Sequence, residues 1–387
     1  MVCGRRSGQI KFLTWYTGFM TKDITDIAYE KAIEIIEKVS TKNGLYASGG
    51  EQGYTSVWAR DSMISLMGAS LTGRFKEQFK VSLETLTKYQ DELGQIPNAV
   101  DIFFEARKKK EVTFATIDST LWYIIGNYIY AQMYDDDSLV KKHKEAIDKA
   151  FLWISYQDTG NDGMPDQQPT SDWQDAFPHK YGHCINTQAL YYGALKVSGK
   201  IQEAEILQEK VNKELWEEEW GFYAPYRWKN HREYREEGKW FDSFGNMLAI
   251  FFGLADIKKA HKILNHVAEY NINDPYPVKT IFPPISPGDP DWKEYYWADD
   301  AGEPEKYLNG GIWPFNGGFY VAALAMSGGK KEAQEQLQKL AEANKLGVDE
   351  EWEFHEWIDW NGMPKGQPYQ AWSAGTYIMA YHAVKKA

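Results

Sequence analysis

Helical periodicity dominates the chain. Across residues 24–39 the apolar side chains recur with the i, i+3, i+4 spacing of an amphipathic helix. Similar spacing predicts further helices at about 61–73, 75–91, 114–134, 138–156, 185–198, 200–216, 241–253, 256–270, 314–327, 330–345 and 369–385. Strong alternating patterns, which are typical of strands, are scarce. The pattern therefore predicts an all-α protein with twelve helices.

Long segments rich in Gly, Pro, Asp, Trp and Tyr separate pairs of these helices. They cover residues 41–60, 92–112, 157–184, 217–240, 271–313 and 346–368. Loops of this length within a compact domain are usually functional. Six helical hairpins with long loops at one end explain this alternation of helix pairs and loops, so we expect an (α/α)6 toroid. An irregular α-solenoid would show a clear sequence repeat, which the chain does not show.

Composition narrows the possible partners. A net charge of −12 argues against nucleic acid, whose phosphates call for a basic surface. The longest basic run, residues 107–110, is flanked by acidic residues and is expected to be a solvated loop or helix end. Two cysteines in 387 residues favour a reducing cytoplasm over a disulfide framework. No stretch reaches the roughly 18 apolar residues needed to span a membrane.

The N-terminal segment loosely resembles a signal peptide. Residues 12–20 are apolar and follow basic residues, but no small-x-small cleavage site comes after them. Met20 could equally be the natural start. We therefore expect residues 1–20 to form an N-terminal extension and residues 21–387 to form a single catalytic domain.

Two acidic-aromatic segments, 171–175 and 355–359, carry the candidate chemistry. Each places carboxylates beside an indole. Hydrolysis of a glycosidic bond needs one carboxylic acid and a second carboxylate, and indole faces suit sugar rings. Asp175 lies between two aromatic residues, whose apolar wall would raise its pKa and keep it protonated as a general acid. A helix-capping Asp is the alternative for Asp175, and a solvated surface Glu is the alternative for Glu356.

Other segments supply candidate sugar contacts. Arg60 and Asp61 could bracket one sugar through their hydrogen bonds, or Asp61 could simply favour a helix N-terminus. Residues 307–315 include two glycines that permit close backbone approach, and Trp313 could form a platform. The excess of aromatic residues, 16 Trp and 25 Tyr, fits wet clefts as well as packing between large helices.

Metal and nucleotide chemistry are not indicated. Residues 158–166 carry several oxygen ligands, but the order and the terminal Glu of an EF-hand are missing. His179, His183 and His355 lack the spacing of a zinc site. No Gly-rich phosphate loop or Gly-x-Ser-x-Gly elbow is evident. We therefore expect neither a metal nor a cofactor.

Several motifs together resemble two related families, the glucosidase domain of glycogen-debranching enzymes and the alkaline/neutral invertases. The matching segments follow the same order as in those families and span residues 50–380. They are Trp-x-Arg-Asp at 58–61, Asp-Trp-Gln-Asp-Ala at 172–176, Tyr-Gly-His at 181–183, the run at 188–195, Asn-Gly-x-x-Trp-Pro at 309–314 and Gln-Ala-Trp-Ser at 370–373.

The resemblance implies an (α/α)6 glycosidase with Asp175 as general acid and Glu356 as general base. Because the group generally inverts anomeric configuration, the two carboxyls should lie roughly 6.5–9.5 Å apart. The predicted sugar-binding residues are Trp58, Arg60, Asp61, Asp172, Trp173, Asn186, Gln188, Asn309, Trp313, Gln370 and Trp372. One position departs from the families, because Asn186 stands where they usually carry Glu. This departure leaves the sugar and its orientation open, and the short chain makes a small glycoside more plausible than glycogen.

Three functions remain open on the sequence alone. The first is an inverting, exo-acting glycosidase on an α-glucoside or a related small sugar, with a sucrose-cleaving β-fructofuranosidase as its variant. The second is a sugar epimerase or isomerase on the same barrel, with His179 or His183 as acid-base. The third is a non-catalytic sugar-binding protein. In each the partner is a small carbohydrate, and the sequence does not decide between a monomer and a homo-oligomer.

Overall fold

A computed structural model of the chain describes residues 23–49, 53–103, 111–228, 236–298 and 302–387. The expected extension at 1–20 and the basic run at 107–110 lie outside the described residues. The division into an extension and one catalytic domain therefore stays a prediction. Within the described part, one hydrophobic cluster runs from the first helix to the last.

The described residues form thirteen α-helices. Their bounds are α1 (Ile24–Val39), α2 (Ala59–Ala69), α3 (Lys76–Lys88), α4 (Asp118–Tyr134), α5 (Ser138–Lys142), α6 (Lys144–Ser155), α7 (Ile185–Val197), α8 (Ile201–Glu214), α9 (Ser243–Phe252), α10 (Ile257–Glu269), α11 (Pro314–Met326), α12 (Lys330–Lys345) and α13 (Ala371–Lys386). The single helix predicted over 138–156 is instead two, because the backbone leaves helical geometry at His143 (φ −93°, ψ 11°). The His143 ring is buried there and bonds Asn127.

Short strands of two or three residues edge the loops. They are β1 (Ser40–Thr41), β2 (Gly44–Leu45), β3 (Val57–Trp58), β4 (Ala99–Asp101), β5 (Glu111–Thr113), β6 (His183–Cys184), β7 (Trp216–Glu217), β8 (Phe222–Tyr223), β9 (Tyr226–Trp228), β10 (Glu236–Glu237), β11 (Phe241–Asp242), β12 (Ile281–Phe282), β13 (Trp357–Ile358) and β14 (Pro364–Lys365). All pairings are antiparallel, in the orders β1-β2, β3-β4-β5, β10-β9-β6, β7-β8, β11-β12 and β13-β14. Several of these strands end immediately before an inner helix and so fix the position of its first turn.

Six helices close a ring. Helix α2 contacts α4, and the contacts continue through α7, α9, α11 and α13 back to α2. These inner helices are apolar on most sides: every residue of α2 is buried, as are Pro314–Ala325 of α11. Helices α1, α3, α5–α6, α8, α10 and α12 pack outside them, and their buried residues form a stripe, as expected for amphipathic surface helices. The predicted (α/α)6 toroid is confirmed.

Glycine lets two inner helices approach closely. A Cβ atom added at Gly68 of α2 would clash with the carbonyl oxygen of Gly375 in α13, and one added at Gly375 would clash with the backbone of Ser65. Backbone cannot yield as a flexible side chain can. The α2–α13 seam, which closes the ring, therefore requires residues without side chains.

Candidate active site

The inner helices begin at one end of the ring, and the residues that open them meet there. A cavity of about 120 Å³ lies at this end. Its walls are formed by Tyr54, Trp58, Arg60, Asp61, Trp173, Asp175, Tyr307, Trp313, Glu356, Gln370 and Trp372. Residues far apart in sequence thus surround one cavity.

Indole rings form much of the wall. The Trp313 ring meets those of Trp173 and Trp372 edge to face, at centroid distances of 5.5 and 5.7 Å. Trp372 is also stacked on Phe315 at 4.1 Å. The Trp313 Nε1–H donates to the carbonyl oxygen of Tyr307 over 3.0 Å. Each ring is therefore held by its neighbours, which gives a rigid apolar surface beside the carboxylates.

Arg60 holds three carboxylates around its guanidinium group. Nη1 lies 3.1 Å from Asp118 Oδ2, Nη2 lies 3.7 Å from Asp175 Oδ2, and Nε lies 3.8 Å from Asp61 Oδ2. Burial lowers the pKa of Arg60, but the three carboxylates more than offset this, so that it stays charged. Burial also raises the pKa of Asp61 to about 6, against the opposing effect of Arg60. The arrangement places a permanent positive charge beside Asp175.

Asp175 lies at the rim of the cavity. About 44% of its side-chain surface is open to solvent, yet the carboxyl sits in a concave wall of protein. Desolvation there raises its pKa, Arg60 acts in the opposite direction, and Asp118 and Asp172 add to the increase. The solvent that reaches the rim moderates all of these effects. A carboxyl that retains its proton here can serve as an acid.

Glu356 lines the same cavity and is nearly enclosed, with 6% of its surface exposed. Its Oε2 accepts the backbone N–H of Gln367 over 3.1 Å, and its own N–H donates to the Gln367 carbonyl oxygen. The Tyr54 hydroxyl lies near the same carboxylate and favours its charged form. Burial raises the pKa of Glu356 to about 7, with Gln367 opposing and the Asp61 and Asp175 charges adding to the rise. Near neutral pH this carboxyl can therefore take up or release a proton.

The segment that carries Asp175, residues 171–175, is called the acid loop below. The Ser171 carbonyl oxygen accepts the N–H of Ile117, just before α4, over 2.7 Å. Trp173 packs edge to face on Phe244 of α9 at 5.6 Å. Together with the contact between Asp175 and Arg60 of α2, these interactions tie the loop to three inner helices. The position of Asp175 is thus set by the ring and not by the loop alone.

Comparison with known proteins identifies the family of the chain. Residues 30–379 match the family described as amylo-alpha-1,6-glucosidase. The chain belongs to this family. It is a glycoside hydrolase, and the resemblance and the enzyme class inferred from its motifs are confirmed. No curated protein matches the glycosidase sequence significantly.

Solved structures share the fold of this glycosidase at low sequence identity. An uncharacterized conserved protein from Thermus thermophilus has a TM-score of 0.69 and 14% identity, covering 91% of this chain and 98% of its own. A GH63 mannosylglycerate hydrolase from the same organism, in complex with glucose, has 0.65 and 14%, covering 93% and 100%. A rhamnosidase from Klebsiella oxytoca with rhamnose bound has 0.63 and 13%, covering 94% of this chain and 64% of its own.

Four residues predicted to bind sugar lie behind the cavity wall of the glycosidase. Asp172, Asn186, Gln188 and Asn309 are all fully buried and are not among its lining residues. Asn309 bonds Ile285 through both ends of its amide and holds a neighbouring loop. The Gln188 Nε2 donates to the Pro165 carbonyl oxygen. These positions give no support to direct sugar contact, because the side chains are enclosed by protein.

Three residues of the site were missed from the sequence. Asp118, the closest partner of Arg60, lies inside the helix predicted at 114–134 and begins the observed α4, and an Asp near a helix start has an ordinary structural explanation. Tyr54 and Tyr307 line the cavity and lie in two of the segments singled out for their composition. The signal for these two tyrosines was their location in Gly-rich loops. Many other tyrosines of this chain lie in similar loops, so this signal did not single them out.

The histidines lie outside the cavity wall. His179 bonds the Tyr295 hydroxyl, His183 lies 3.5 Å from Asp166, and His355 bonds Glu353 over 2.7 Å. Among the described ranges, no group of three or more His, Cys, Asp or Glu side chains could hold a metal ion. A larger cleft of about 620 Å³ lies between α10 and α12, and none of the predicted site residues lines it. Within the described part of the chain, no helix has the length and apolar character to cross a membrane.

Proposed function

We propose that this glycoside hydrolase is exo-acting and inverts configuration at the anomeric carbon of a terminal α-glucoside or related small sugar. The observation that carries the proposal is the pairing of Asp175 and Glu356, two carboxyls with raised pKa values, around one cavity walled by indoles. The placement of both carboxyls and of the indoles on one cavity supports recognition of a terminal sugar there. The family description supports glucose, although related folds act on other sugars. Two cysteines in the whole chain support a cytoplasmic setting.

In the proposed reaction Asp175 is the general acid. It donates its proton to the glycosidic oxygen as the bond between that oxygen and the anomeric carbon breaks. Asp175 is left as a carboxylate, and the Arg60 guanidinium at 3.7 Å stabilises this charge. The leaving group departs as a neutral alcohol. Arg60 therefore favours the state that Asp175 reaches after donating its proton.

Glu356 is the general base. It accepts a proton from a water molecule whose oxygen attacks the anomeric carbon from the face opposite the leaving group, which produces the inverted anomer. One proton moves from Asp175 to the leaving oxygen and one from water to Glu356. Exchange with solvent then restores both side chains. Asp61 would accept sugar hydroxyl groups, while Trp313 and Trp372 would contact the ring face.

A substrate panel with product analysis tests the proposal. Nitrophenyl glycosides, isomaltose, maltose and sucrose would be assayed, with the first-formed anomer read by proton NMR. We expect an α-glucoside to be cleaved to β-glucose, and Asp175→Asn and Glu356→Gln each to lose about 10²–10⁴-fold in kcat. Asp148→Asn and Glu145→Gln, exposed carboxyls on outer helix α6, serve as controls. Near-wild-type rates in either site variant, or release of the α-anomer, would contradict the mechanism.

A further inference from the structure

Lys180 is completely buried beneath the acid loop, between two carboxylates. Its Nζ lies 2.8 Å from Asp172 Oδ2 and 3.0 Å from Asp242 Oδ2, and all three side chains have 0% exposure. Lysine is almost never fully buried unless it is paired, and a buried ion pair is weak evidence for stability because desolvation opposes it. The proposed reaction gives Lys180 no part. Its location beside Asp172 of the acid loop therefore requires another explanation.

Each carboxylate uses one oxygen for Lys180 and the other for a backbone N–H group. Asp242 caps α9 by accepting the N–H of Gly245 over 3.1 Å. Asp172 accepts the N–H of Gln174, inside the acid loop, over 2.9 Å. Lys180 thus joins the fixed start of an inner helix to the turn that leads directly into Asp175.

We propose that Lys180 is a positioning residue for the reaction: through Asp172 it holds the acid loop in the geometry in which Asp175 can protonate the leaving oxygen. The inference rests on the proposed role of Asp175 as general acid. It assigns Asp172, predicted from the sequence to bind sugar, to the support of the acid instead. Asp172 also places a negative charge behind the acid loop, and Lys180 stabilises that charge.

Several charged and titratable groups act on Asp175 from the elements around it. Arg60 and Asp61 come from α2, Asp118 from α4, Asp172 from the acid loop itself, and Glu356 and Tyr307 from the loops across the cavity. Of these, Arg60 lowers the pKa of Asp175, whereas Asp118 and Asp172 raise it. A change at Asp172 should therefore alter the proton affinity of the acid while the base keeps its own surroundings.

Leaving-group dependence separates this role from a general structural one. Fluoride leaves α-D-glucosyl fluoride without needing a proton, whereas the alkoxide of isomaltose must be protonated as it departs. We expect Lys180→Met, which keeps chain length but removes the charge, to lose at least ~10-fold more kcat on isomaltose than on the fluoride. Equal losses on the two substrates, or no loss in a folded variant, would overturn the proposal.

Asp172→Asn provides a second test that does not depend on the folding of Lys180→Met. Its amide oxygen can still accept the Gln174 N–H, and Lys180 keeps Asp242 as its partner. We expect the alkaline limb of kcat/KM on isomaltose to move to lower pH, because a negative charge that favours protonated Asp175 is gone. The acid limb, set by Glu356 together with Asp61, should stay in place. An unchanged alkaline limb together with an unchanged substrate ratio would overturn the proposal.

Two reference variants complete the experiment. Arg227→Met removes another buried cation, one that pairs with Glu217 and Glu237 outside the cavity wall, and should change both substrates equally. Asp175→Asn should show the full selective loss on isomaltose. If it does not, the assignment of the acid fails and the role of Lys180 fails with it. If Asp175→Asn shows the selective loss and Lys180→Met does not, only the role of Lys180 fails.

Discussion

The acid limb of the pH profile of kcat/KM should be centred near pH 7. Burial raises the pKa of Glu356 to about 7, from an ordinary value of 4.5. A general base works only as the carboxylate, and the group is protonated as pH falls through its pKa. Activity should therefore be lost on the acidic side of neutrality, well above the range in which an exposed glutamate titrates.

The size of the loss of activity at acidic pH separates a base with a raised pKa from one with the pKa of an exposed glutamate. With a pKa of about 7, the carboxylate fraction falls from about one half at pH 7 to about 1% at pH 5, a loss of ~50-fold in kcat/KM. With an ordinary pKa, the same change would remove only about a quarter of the activity. Asp61, with a pKa of about 6, also titrates in this range, so the limb belongs to the interacting carboxyls together.

The assay is kcat/KM between pH 4 and pH 9 at constant ionic strength, with circular dichroism at each pH to show that the protein is folded. Asp61→Asn should move the midpoint to lower pH, because the Asp61 charge contributes to the raised pKa of Glu356. Its effect on sugar binding would change the height of the profile but not the sign of this shift. A midpoint near pH 4.5 in the wild type would refute the reasoning that burial sets the proton affinity of the base.

Three further predictions concern the base and the ring. Gly366→Ala should reduce kcat at least ~10-fold, because the added Cβ would clash with Glu356 Oε2. Gly362→Ala is the control: its φ is similarly positive, +79°, but the space around it is open, so it should lose only stability, about 1–2 kcal/mol. Equal losses of kcat in the two variants would contradict the prediction. Glu356→Gln should have a higher free energy of unfolding than the wild type at pH 8, by at most about 3 kcal/mol, and so a higher melting temperature. The reason is that the wild-type fold loses stability as pH rises through the raised pKa of Glu356, about 7. The difference in melting temperature should narrow toward pH 5, and a constant difference would argue against it. Gly68→Ala should lower the melting temperature by more than Gly362→Ala, because it forces apart the backbones of two inner helices. An equal decrease would show that α2 and α13 can separate without a large loss of stability.

The helices were predictable because their signal is local. An amphipathic outer helix leaves apolar periodicity, and an inner helix buried on all sides leaves a mostly apolar run, both within about four turns of chain. The alternation of helix pairs with long loops indicated the toroid. The break at His143 was not predictable, because it depends on a contact with Asn127 of the preceding helix. The two carboxyls and the indole walls were found because they occur in short, unusual segments.

The partners of those residues could not be found in the same way. Arg60 and Asp118 are 58 positions apart, and neither has a neighbour in sequence that indicates the other. Asp172 and Asp175 are three positions apart with similar surroundings, yet one points to a buried lysine and the other to the cavity. Only the packing of the acid loop against α4 and α9 separates them.

The sequence by itself determined the class of this protein, an all-α toroid of helical hairpins and a glycosidase, and it indicated the two segments that carry the proposed catalytic carboxyls. Apolar periodicity and rare acidic-aromatic motifs are properties of consecutive residues, so they can be read without coordinates. The tertiary structure decided which side chains share the cavity, what shifts their proton affinities and which polar residues only support the wall. Those properties depend on burial and on distances between groups from different helices, which the closing of the ring alone creates.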